Sequence, residues 1–184
     1  VKRNRSYRRF DESFKISRET LEELVALARL CPSAANIQPL KFILSCEPRK
    51  NASIFPHLAW AGYLKDWPGP AEGQRPSAYI IILGDTEIAQ NYFCDDGIAA
   101  QTILLGAVEK GLGGCILASI QREQLREALK IPSRYEILLV VALGKPAEQV
   151  IIEQLAPDGN IKYWRDDQGK HHVPKRSLKE LIID

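Results

Sequence analysis

Apolar residues at helical spacing define the first predicted element of the chain. The i, i+3, i+4, i+7 spacing, which places side chains on one face of a helix, is shared by Leu21, Leu24, Val25 and Ala28. Ser17 precedes them as a candidate N-cap, because its hydroxyl can accept a hydrogen bond from a first-turn amide. Ile16 is placed to pack on Leu21 as a hydrophobic staple, and Pro32 is expected to end the helix.

Runs of apolar residues predict the strands. The expected ranges are Lys41–Ser45, Tyr79–Leu83, Cys115–Ser119 and Ile137–Leu143. The run Tyr79–Leu83 is apolar without interruption, which is typical of a strand buried on both faces of a sheet.

The segment Asn91–Lys110 has the length of a helix and is apolar on nearly every side through Ile98–Val108. Such a helix must be buried all round, in a large core or in a subunit interface, and the small size of the chain favours the interface. Gly111–Gly114 is expected to end it with a left-handed cap. A short helix over Arg122–Lys130 follows. The alternation of predicted strands and helices along the chain predicts an α+β or α/β fold with one sheet flanked by helices.

Two regions lack a clear hydrophobic period. Residues 55–76 are rich in aromatic residues, Pro and Gly, which indicates an irregular segment long enough to be a functional loop. The C-terminal region contains the turn Pro157–Gly159 and a polar aromatic stretch that ends at Lys170. Ser177 and Glu180 then form a capping box in front of a final helix.

The composition is that of a globular protein, and it excludes several other classes of protein. The 184 residues suit one domain, 1–184, and 45% hydrophobic with 26% charged residues exclude bulk disorder. No apolar stretch reaches the ~18 residues that span a bilayer, and no apolar segment of a secretory signal follows the first basic residues. No C-x-x-C pair occurs among Cys31, Cys46, Cys94 and Cys115, which favours reduced thiols. We therefore expect a cytoplasmic protein that does not bind membranes.

Positive charge is concentrated in residues 1–10, which we call the basic arm. It contains no acid and five cations, namely Lys2, Arg3, Arg5, Arg8 and Arg9. The rest of the chain has 20 bases and 23 acids, so the net charge of +2 divides into a +5 arm and a −3 remainder. A solvated tail is the commoner origin of such a run. Ser6, Tyr7 and Phe10 favour the alternative, in which Arg5, Ser6 and Arg8 converge on a phosphate that guanidinium groups bind in bidentate fashion.

A second basic cluster lies near the C-terminus. Lys175 and Arg176 directly precede Ser177, so they would stand beside the partly positive end of the final helix, where anions bind. A charged surface loop is the commoner alternative. If the fold brings the chain ends together, the cluster and the arm could share one phosphate. Nucleic-acid binding by the arm is the weakest hypothesis, because the rest of the chain is acidic and has no second basic face.

Three further motifs admit both a structural and a functional interpretation. The loop Pro32–Pro39 offers Ser33, Asn36 and Gln38 as neutral donors and acceptors suited to the edge of a flat heteroaromatic ring, or merely connects a helix to a strand. The glycine run 111–114 follows a helix and therefore is not a dinucleotide fingerprint. His171 and His172 are adjacent and have no metal-ligand spacing around them, so we expect no metal site.

Taken in order along the chain, these motifs resemble the nitroreductase family of FMN flavoproteins. Arg5–Phe10 is similar to the family's opening Arg-Ser-x-Arg-x-Phe signature, and Pro32–Pro39 to its Pro-Ser-x-x-Asn-x-Gln-Pro loop. Asp96–Gln101 through Gly111–Gly114 resembles the long central helix and the glycine turn after it, and Val173–Arg176 resembles the basic C-terminal cluster. The resemblance covers almost the whole chain.

The resemblance implies a central, mostly antiparallel sheet flanked by helices, in an intertwined homodimer with two FMN molecules at its interface. It implies that NAD(P)H gives a hydride to the flavin, which passes it to a nitroaromatic or quinone-like acceptor. The arm and Lys175–Arg176 would hold the phosphate and the pyrimidine side of the flavin, and Arg8 would stabilise its anionic reduced form. The Pro-Ser loop would reach the flavin of the other subunit. An FMN-binding carrier or sensor without turnover is the alternative.

The resemblance thus implies a set of cofactor-binding residues and no catalytic acid, base or nucleophile. The set is Arg5, Ser6, Tyr7, Arg8, Pro32, Ser33, Ala34, Asn36, Gln38, Ala118, Ser119, Lys175 and Arg176. Two departures from the family pattern affect this set. Asn4 stands where many members carry another Arg, which leaves either Arg3 or Arg5 for the main phosphate contact. Leu40 stands where the family usually has a Trp after the Gln-Pro pair. Trp60 and Trp67 are candidates to cover the substrate pocket, or are staples of a surface loop.

Overall fold

The computed structural model describes residues 1–183 and has a mixed α and β architecture. The strands are β1 (Phe10–Asp11), β2 (Leu40–Ser45), β3 (Ala78–Asp85), β4 (Gly113–Leu117), β5 (Tyr135–Pro146), β6 (Val150–Gln154), β7 (Trp164–Arg165) and β8 (His171–Lys175). The helices are α1 (Arg18–Arg29), α2 (Pro48–Ile54), α3 (Asp95–Glu109), α4 (Arg122–Leu129) and α5 (Leu178–Leu181). No helix of residues 1–183 is long and apolar enough to cross a membrane.

A five-stranded antiparallel sheet forms the centre of the fold. Its order is β1-β5-β3-β2, and β4 also pairs with β5. Every residue of β3 is buried, which confirms the strand predicted over Tyr79–Leu83 and its burial on both faces. Alternate side chains of β3 enter two cores: Ile80 and Ile82 pack with α1 and α3, whereas Tyr79 and Ile81 belong to the cluster that contains residues of α2 and α4.

The predicted helix ends are confirmed where caps define them. Ser17 accepts a hydrogen bond from the amide of Thr20 at 3.2 Å at the start of α1, and Ser177 and Glu180 form the predicted capping box. Gly111 follows α3 with φ +73°, a conformation that glycine adopts without strain. The helix α3 begins at Asp95, later than the predicted Asn91, because residues 91–94 form a turn.

The helix α3 is buried mostly within its own chain. Ala99, Ile103 and Ala107 are at most 1% exposed in the core beside α1, and a Cβ on Gly106 would lie 2.5 Å from Leu27 Cδ1, so the glycine permits close packing of the two helices. Leu105 remains 37% exposed. The apolar residues of α3 therefore pack mostly into the core of their own chain, and the side of the helix that carries Leu105 remains partly exposed.

A second, three-stranded sheet was not predicted. It has the order β6-β8-β7, with β6 parallel to β8 and β7 antiparallel to it. His172 lies at its centre, with Nδ1 2.5 Å from Glu153 Oε1, Nε2 3.2 Å from Asp166 Oδ2 and its ring stacked on Trp164 at 4.2 Å between centroids. These contacts join three segments of two to five residues, which are too short to show a hydrophobic period.

Candidate functional site

The basic arm is anchored to the central sheet by its backbone and its aromatic residues. Ser6 forms a parallel bridge with Gly114, and the amide of Tyr7 donates to the Gly114 carbonyl at 3.0 Å. A Cβ on Gly113 would lie 2.5 Å from the Tyr7 ring, so that ring packs directly on the glycine. Phe10 is fully buried. From Ser6 onward the arm is therefore part of the fold, and the solvated-tail interpretation does not hold for this stretch.

Glu148 fixes the arm from the other side. Its side chain is 1% exposed, and its Oε1 accepts hydrogen bonds from the amides of Arg8 and Arg9, the latter at 3.1 Å. Its Oε2 pairs with Arg165 Nη2 at 3.0 Å. The charge of this buried carboxylate is thus balanced by Arg165 of β7 rather than by the guanidinium groups of the arm. No motif or spacing in the sequence singles out Glu148.

The arm's own guanidinium groups keep free donors. No cation of the arm forms an ion pair with an acid of residues 1–183. The Nε atoms of Arg5 and Arg8 are buried and have no hydrogen-bond partner among those residues. Arg8 Nη1 donates to the Ser6 carbonyl at 3.3 Å, and Arg5 Nη2 to the Val1 carbonyl at the same distance. Ser6 is exposed between them.

Aromatic side chains support Arg8 and Arg9 from the C-terminal sheet and the irregular segment. Arg8 lies over the ring of Tyr163, 5.0 Å from its centroid. Trp67 contacts Arg9 at 6.0 Å and Arg165 at 4.1 Å, distances typical of cation–π contacts. Trp67 thus packs on guanidinium groups. Trp60 is 7% exposed and belongs to the core, so it is not a staple of a surface loop.

His171 is neutral at physiological pH and acts as an acceptor toward Arg8. It is fully buried, and burial, with Arg8 nearby as a second cause, lowers its pKa to about 4. Arg8 Nη1 lies 3.4 Å from His171 Nε2. Because a guanidinium can only donate, Nε2 must be the unprotonated nitrogen in this contact. The imidazole therefore orients Arg8 and has no proton to give at neutral pH from that atom.

Cys115 lies beneath the arm, near Arg8 and Ser6. Burial raises the pKa of its thiol, and the nearby guanidinium only partly opposes this effect. A thiol with a raised pKa is a poor nucleophile. Cys115 is therefore a packing residue of β4.

The loop Pro32–Pro39 is held by Asp95, the first residue of α3. Ser33 Oγ donates to Asp95 Oδ2 at 2.6 Å, and the amide of Ala34 donates to Oδ1 at 3.0 Å. Ser33 Oγ in turn accepts from the amide of Gln38 at 2.9 Å. The hydroxyl of Ser33 thus stabilises its own loop, which is the structural role considered above. Asp95 is 5% exposed and was not selected from the sequence.

The same loop presents its amide side chains outward. Ala35, Asn36 and Gln38 all have positive φ, between 47° and 56°, although none is glycine. Such conformations are uncommon for L-residues and need support from their surroundings. Asn36 and Gln38 are exposed and hydrogen-bonded to each other, with 3.1 Å from Gln38 Nε2 to Asn36 Oδ1. The loop therefore holds two amide groups in a fixed, outward orientation.

The remaining predicted contact residues lie at the ends of β4 and β8. Ala118 and Ser119 are exposed and follow β4, the strand whose first residues pair with the arm. Lys175 is at the far end of β8, about 13 Å along the strand from His171. Arg176 Nη1 lies 3.5 Å from Glu180. Within residues 1–183 the arm approaches the C-terminal sheet at His171, and no hydrogen bond joins the arm to Lys175 or Arg176.

Comparison with known proteins identifies the class to which this fold and site belong. The nitroreductase family model matches residues 1–145, so the chain belongs to the nitroreductase family. A Bacillus subtilis protein assigned as an NAD(P)H nitroreductase, YodC, is 23% identical and aligns with 89% of this chain and 96% of its own length.

Two solved structures share the fold. An FMN-dependent nitroreductase from Clostridium difficile R20291 is 25% identical, with a TM-score of 0.65, and the match covers 81% of this chain and 87% of that one. A nitroreductase family protein from Streptococcus pneumoniae TIGR4 is 18% identical, with a TM-score of 0.69, over 98% of this chain and 96% of that one. The family and the mostly antiparallel sheet flanked by helices, both predicted from the sequence, are confirmed.

The family assignment makes the protein an oxidoreductase, and FMN, the cofactor expected from the sequence, is confirmed as the cofactor of the family. The residues of the arm fit this group. Arg5 and Arg8 have buried Nε atoms without partners and no acidic counter-ion within residues 1–183, and a phosphate would supply both acceptors and charge.

Proposed function

We propose that this protein is an FMN-dependent reductase that takes a hydride from NAD(P)H and transfers it to a nitroaromatic or quinone-like acceptor. The observation that supports this most directly is that the guanidinium groups of Arg5 and Arg8 have no acidic partner within residues 1–183. The two residues lie on either side of exposed Ser6. Glu148 and Gly114 hold the backbone between and beside them. Residues that are held rigidly and keep free donors are prepared to bind an anion without reorganisation.

In this proposal Arg5, Ser6 and Arg8 bind the phosphate and the anionic part of FMN, with Tyr7 packed behind them. Arg5 rather than Arg3 makes the main phosphate contact, because Arg5 is half-buried with a free Nε, whereas Arg3 is exposed. Ala118 and Ser119 contribute backbone on the β4 side. Lys175 and Arg176 add positive charge at and just beyond the end of β8, and within residues 1–183 they form no hydrogen bond to the arm.

We also propose that the protein is a homodimer, with the loop Pro32–Pro39 serving the flavin of the second copy. Asn36 and Gln38 are exposed, so they are available to a second copy of the chain, and Ser33, held by Asp95, accepts a hydrogen bond from the Gln38 amide. The flank around this loop exposes large apolar side chains, at 39% for Leu27 and Ile37 and 71% for Leu30. An exposed apolar surface next to a preformed loop is typical of a subunit interface.

FMN, when bound, supplies the hydride chemistry, accepting a hydride from a nicotinamide and returning it to an acceptor. The chain's own groups bind and orient. Arg8 provides a fixed positive charge, and His171, with its lowered pKa, leaves that charge uncompensated. No residue of the site is assigned as an acid or a nucleophile. We place this activity in the cytoplasm, in a single domain of residues 1–184, of which Asp184 lies outside the described residues.

The test is an absorbance measurement on purified protein. Protein reconstituted with FMN should show a flavin spectrum that NADH or NADPH bleaches under anaerobic conditions, and a quinone or nitroaromatic acceptor should restore it. Failure to take up FMN would overturn the proposal. Uptake of FMN without bleaching by either nicotinamide would instead support the alternative, a flavin carrier or sensor.

A further inference from the structure

A cavity of about 530 Å³ lies away from the predicted flavin contacts. It opens between the N-terminal turn of α1, the helix α2 and the chain that leads into β3. None of its lining residues is a residue of the arm, of the loop Pro32–Pro39 or of the C-terminal cluster. Its volume is in the range of pockets that hold small organic ligands.

Three polar side chains line this cavity from alternate positions of the chain: Arg75, Ser77 and Tyr79. Residues 75 and 77 are bends that lead directly into β3, and we call the three polar groups that line the cavity here the row. The segment is continuous with β3, whose burial makes the wall rigid. The row therefore presents a guanidinium, a hydroxyl and a phenol to one space.

The hydrogen-bonding capacity of this row is unused within residues 1–183. The Arg75 guanidinium forms no hydrogen bond and no ion pair there, and its Nε is buried. Ser77 Oγ is also buried without a partner. Burial raises the pKa of the Tyr79 phenol, so it stays protonated and available as a donor. Buried polar groups are almost always paired, so two unpartnered groups beside a third donor in one cavity indicate an acceptor that binds there.

The charges around the cavity favour an anionic acceptor. The lining contains the cations Lys15, Arg18 and Arg75 and the acids Glu12 and Glu47. Arg18 pairs with Glu22, outside the lining. Glu12 uses Oε2 to accept from the amides of Gly73 and Arg75, so one of the two carboxylates is already engaged by the backbone. Lys15 and Arg75 form no ion pair within residues 1–183.

Part of the cavity lining is apolar. Phe55 carries the Arg75 guanidinium 4.5 Å above its ring centroid, and Ile16, Pro76 and the ring of Tyr79 complete the surface. A guanidinium stacked on an aromatic ring keeps its planar edge free for a bidentate contact. The cavity thus combines one anion-binding edge with an apolar floor.

We propose that this cavity is a second ligand site, which binds a small organic carboxylate with an apolar body. Arg75 donates to the carboxylate, Ser77 and Tyr79 complete its hydrogen bonds, and the apolar body packs on Phe55. The proposal does not depend on the flavin, because no residue is shared between the two sites.

Benzoate is the probe, and isothermal titration calorimetry on FMN-saturated protein is the measurement. Saturable binding of benzoate is expected, with benzamide, its neutral analogue, at least about tenfold weaker, since a charge-assisted hydrogen bond contributes that much. Arg75→Gln should weaken benzoate binding by about tenfold or more, and Tyr79→Phe, which removes only the hydroxyl, by about three- to tenfold. Arg49→Gln is the matched control, because Arg49 is exposed on α2 and does not line the cavity.

Three outcomes would overturn the proposal. One is the absence of saturable benzoate binding to the wild-type protein. Another is benzoate binding that Tyr79→Phe and Ser77→Ala leave unchanged but Arg8→Gln abolishes, which would place benzoate in the flavin site. The third is binding of inorganic phosphate as tight as that of benzoate, which would show that the apolar floor contributes nothing. If Arg75→Gln does not fold, Tyr79→Phe and Ser77→Ala carry the test alone.

Discussion

Glu148 and Arg165 form an ion pair of 3.0 Å in which the two side chains are 1% and 10% exposed. The same carboxylate binds the backbone amides of Arg8 and Arg9. One buried acid thus connects the basic arm to β7 and leaves the guanidinium of Arg8 available for a ligand.

Glu148→Gln should destabilise the protein strongly. The substitution leaves the buried guanidinium of Arg165 without a counter-ion, and breaking one partner of a buried pair costs about 3–5 kcal/mol. Urea unfolding followed by circular dichroism measures the loss. Glu127→Gln is the control, because Glu127 is exposed on α4 and should change the free energy of unfolding by less than about 0.5 kcal/mol. Equal stability of the two variants would contradict the role given to Glu148.

Arg5→Gln should weaken FMN binding more than Arg3→Gln does. Loss of charge-assisted hydrogen bonds to the phosphate is expected to cost about 10- to 100-fold in affinity for Arg5. Arg3 is exposed, so its removal should act only through long-range charge, and added salt should reduce its effect. Quenching of flavin fluorescence during titration gives both dissociation constants. The reverse ranking would assign the main phosphate contact to Arg3.

Asp95→Asn should loosen the loop Pro32–Pro39. The carboxylate accepts from Ser33 Oγ and the Ala34 amide, and replacing it by an amide turns one acceptor into a donor. A loss of about 1–3 kcal/mol in unfolding free energy is expected, together with weaker FMN binding. Asp96→Asn is a matched control at the same helix end, because Asp96 accepts only from the adjacent Gly97 amide. Hydrogen exchange at residues 33–38 should increase in Asp95→Asn and stay unchanged in Asp96→Asn.

The two adjacent histidines should give stability opposite pH dependences. Hydrogen bonding to Asp166, with a further contribution from Glu153, raises the pKa of His172, so its stabilisation is complete below the unfolded value of about 6.5 and is lost as pH rises through the raised pKa. The pKa of His171 is lowered to about 4, so its contribution is complete above about 6.5 and is lost as pH falls toward 4.

Thermal unfolding of His171→Gln and His172→Gln between pH 4 and 9 separates the two contributions. Relative to the wild type, His172→Gln should lose most stability at low pH, and His171→Gln should remove part of the decline on acidification. Chemical shifts of the imidazole Cε1 protons give each pKa directly. Parallel pH profiles for both variants would contradict the assignment.

The central sheet and its helices could be predicted because their burial leaves a period in the sequence. The α1 spacing, the apolar run in β3 and the Ser17 and Ser177 caps each specify local structure, and each is present. The strands β6, β7 and β8 could not be predicted. They are stabilised by pairing between distant segments and by side-chain contacts such as His172 with Glu153, which no local pattern announces.

The candidate site also has a part that the sequence could predict and a part that it could not. The arm was recognisable from its charge and its aromatic residues, since Tyr7 and Phe10 have no reason to occur in a solvated tail. Glu148 and Asp95 were missed because a single acid carries no signal until the fold shows what it binds. An acid in the first turn of α3 is expected from the helix dipole alone, so the presence of Asp95 did not indicate its contact with Ser33.

The contacts that hold the arm also set an order of events during synthesis. Arg8 meets Glu148 across 140 residues and His171 across 163, so these are among the most distant pairings that the chain can make. Contacts of such separation form late in folding, after the local elements exist. Glu148 and His171 follow β5 in the chain, so all strands of the central sheet have been synthesised before Arg8 can make these two contacts. If the arm binds FMN as proposed, tight binding should require a chain that extends through β8, and ribosome-bound chains that end before β8 should not bind FMN.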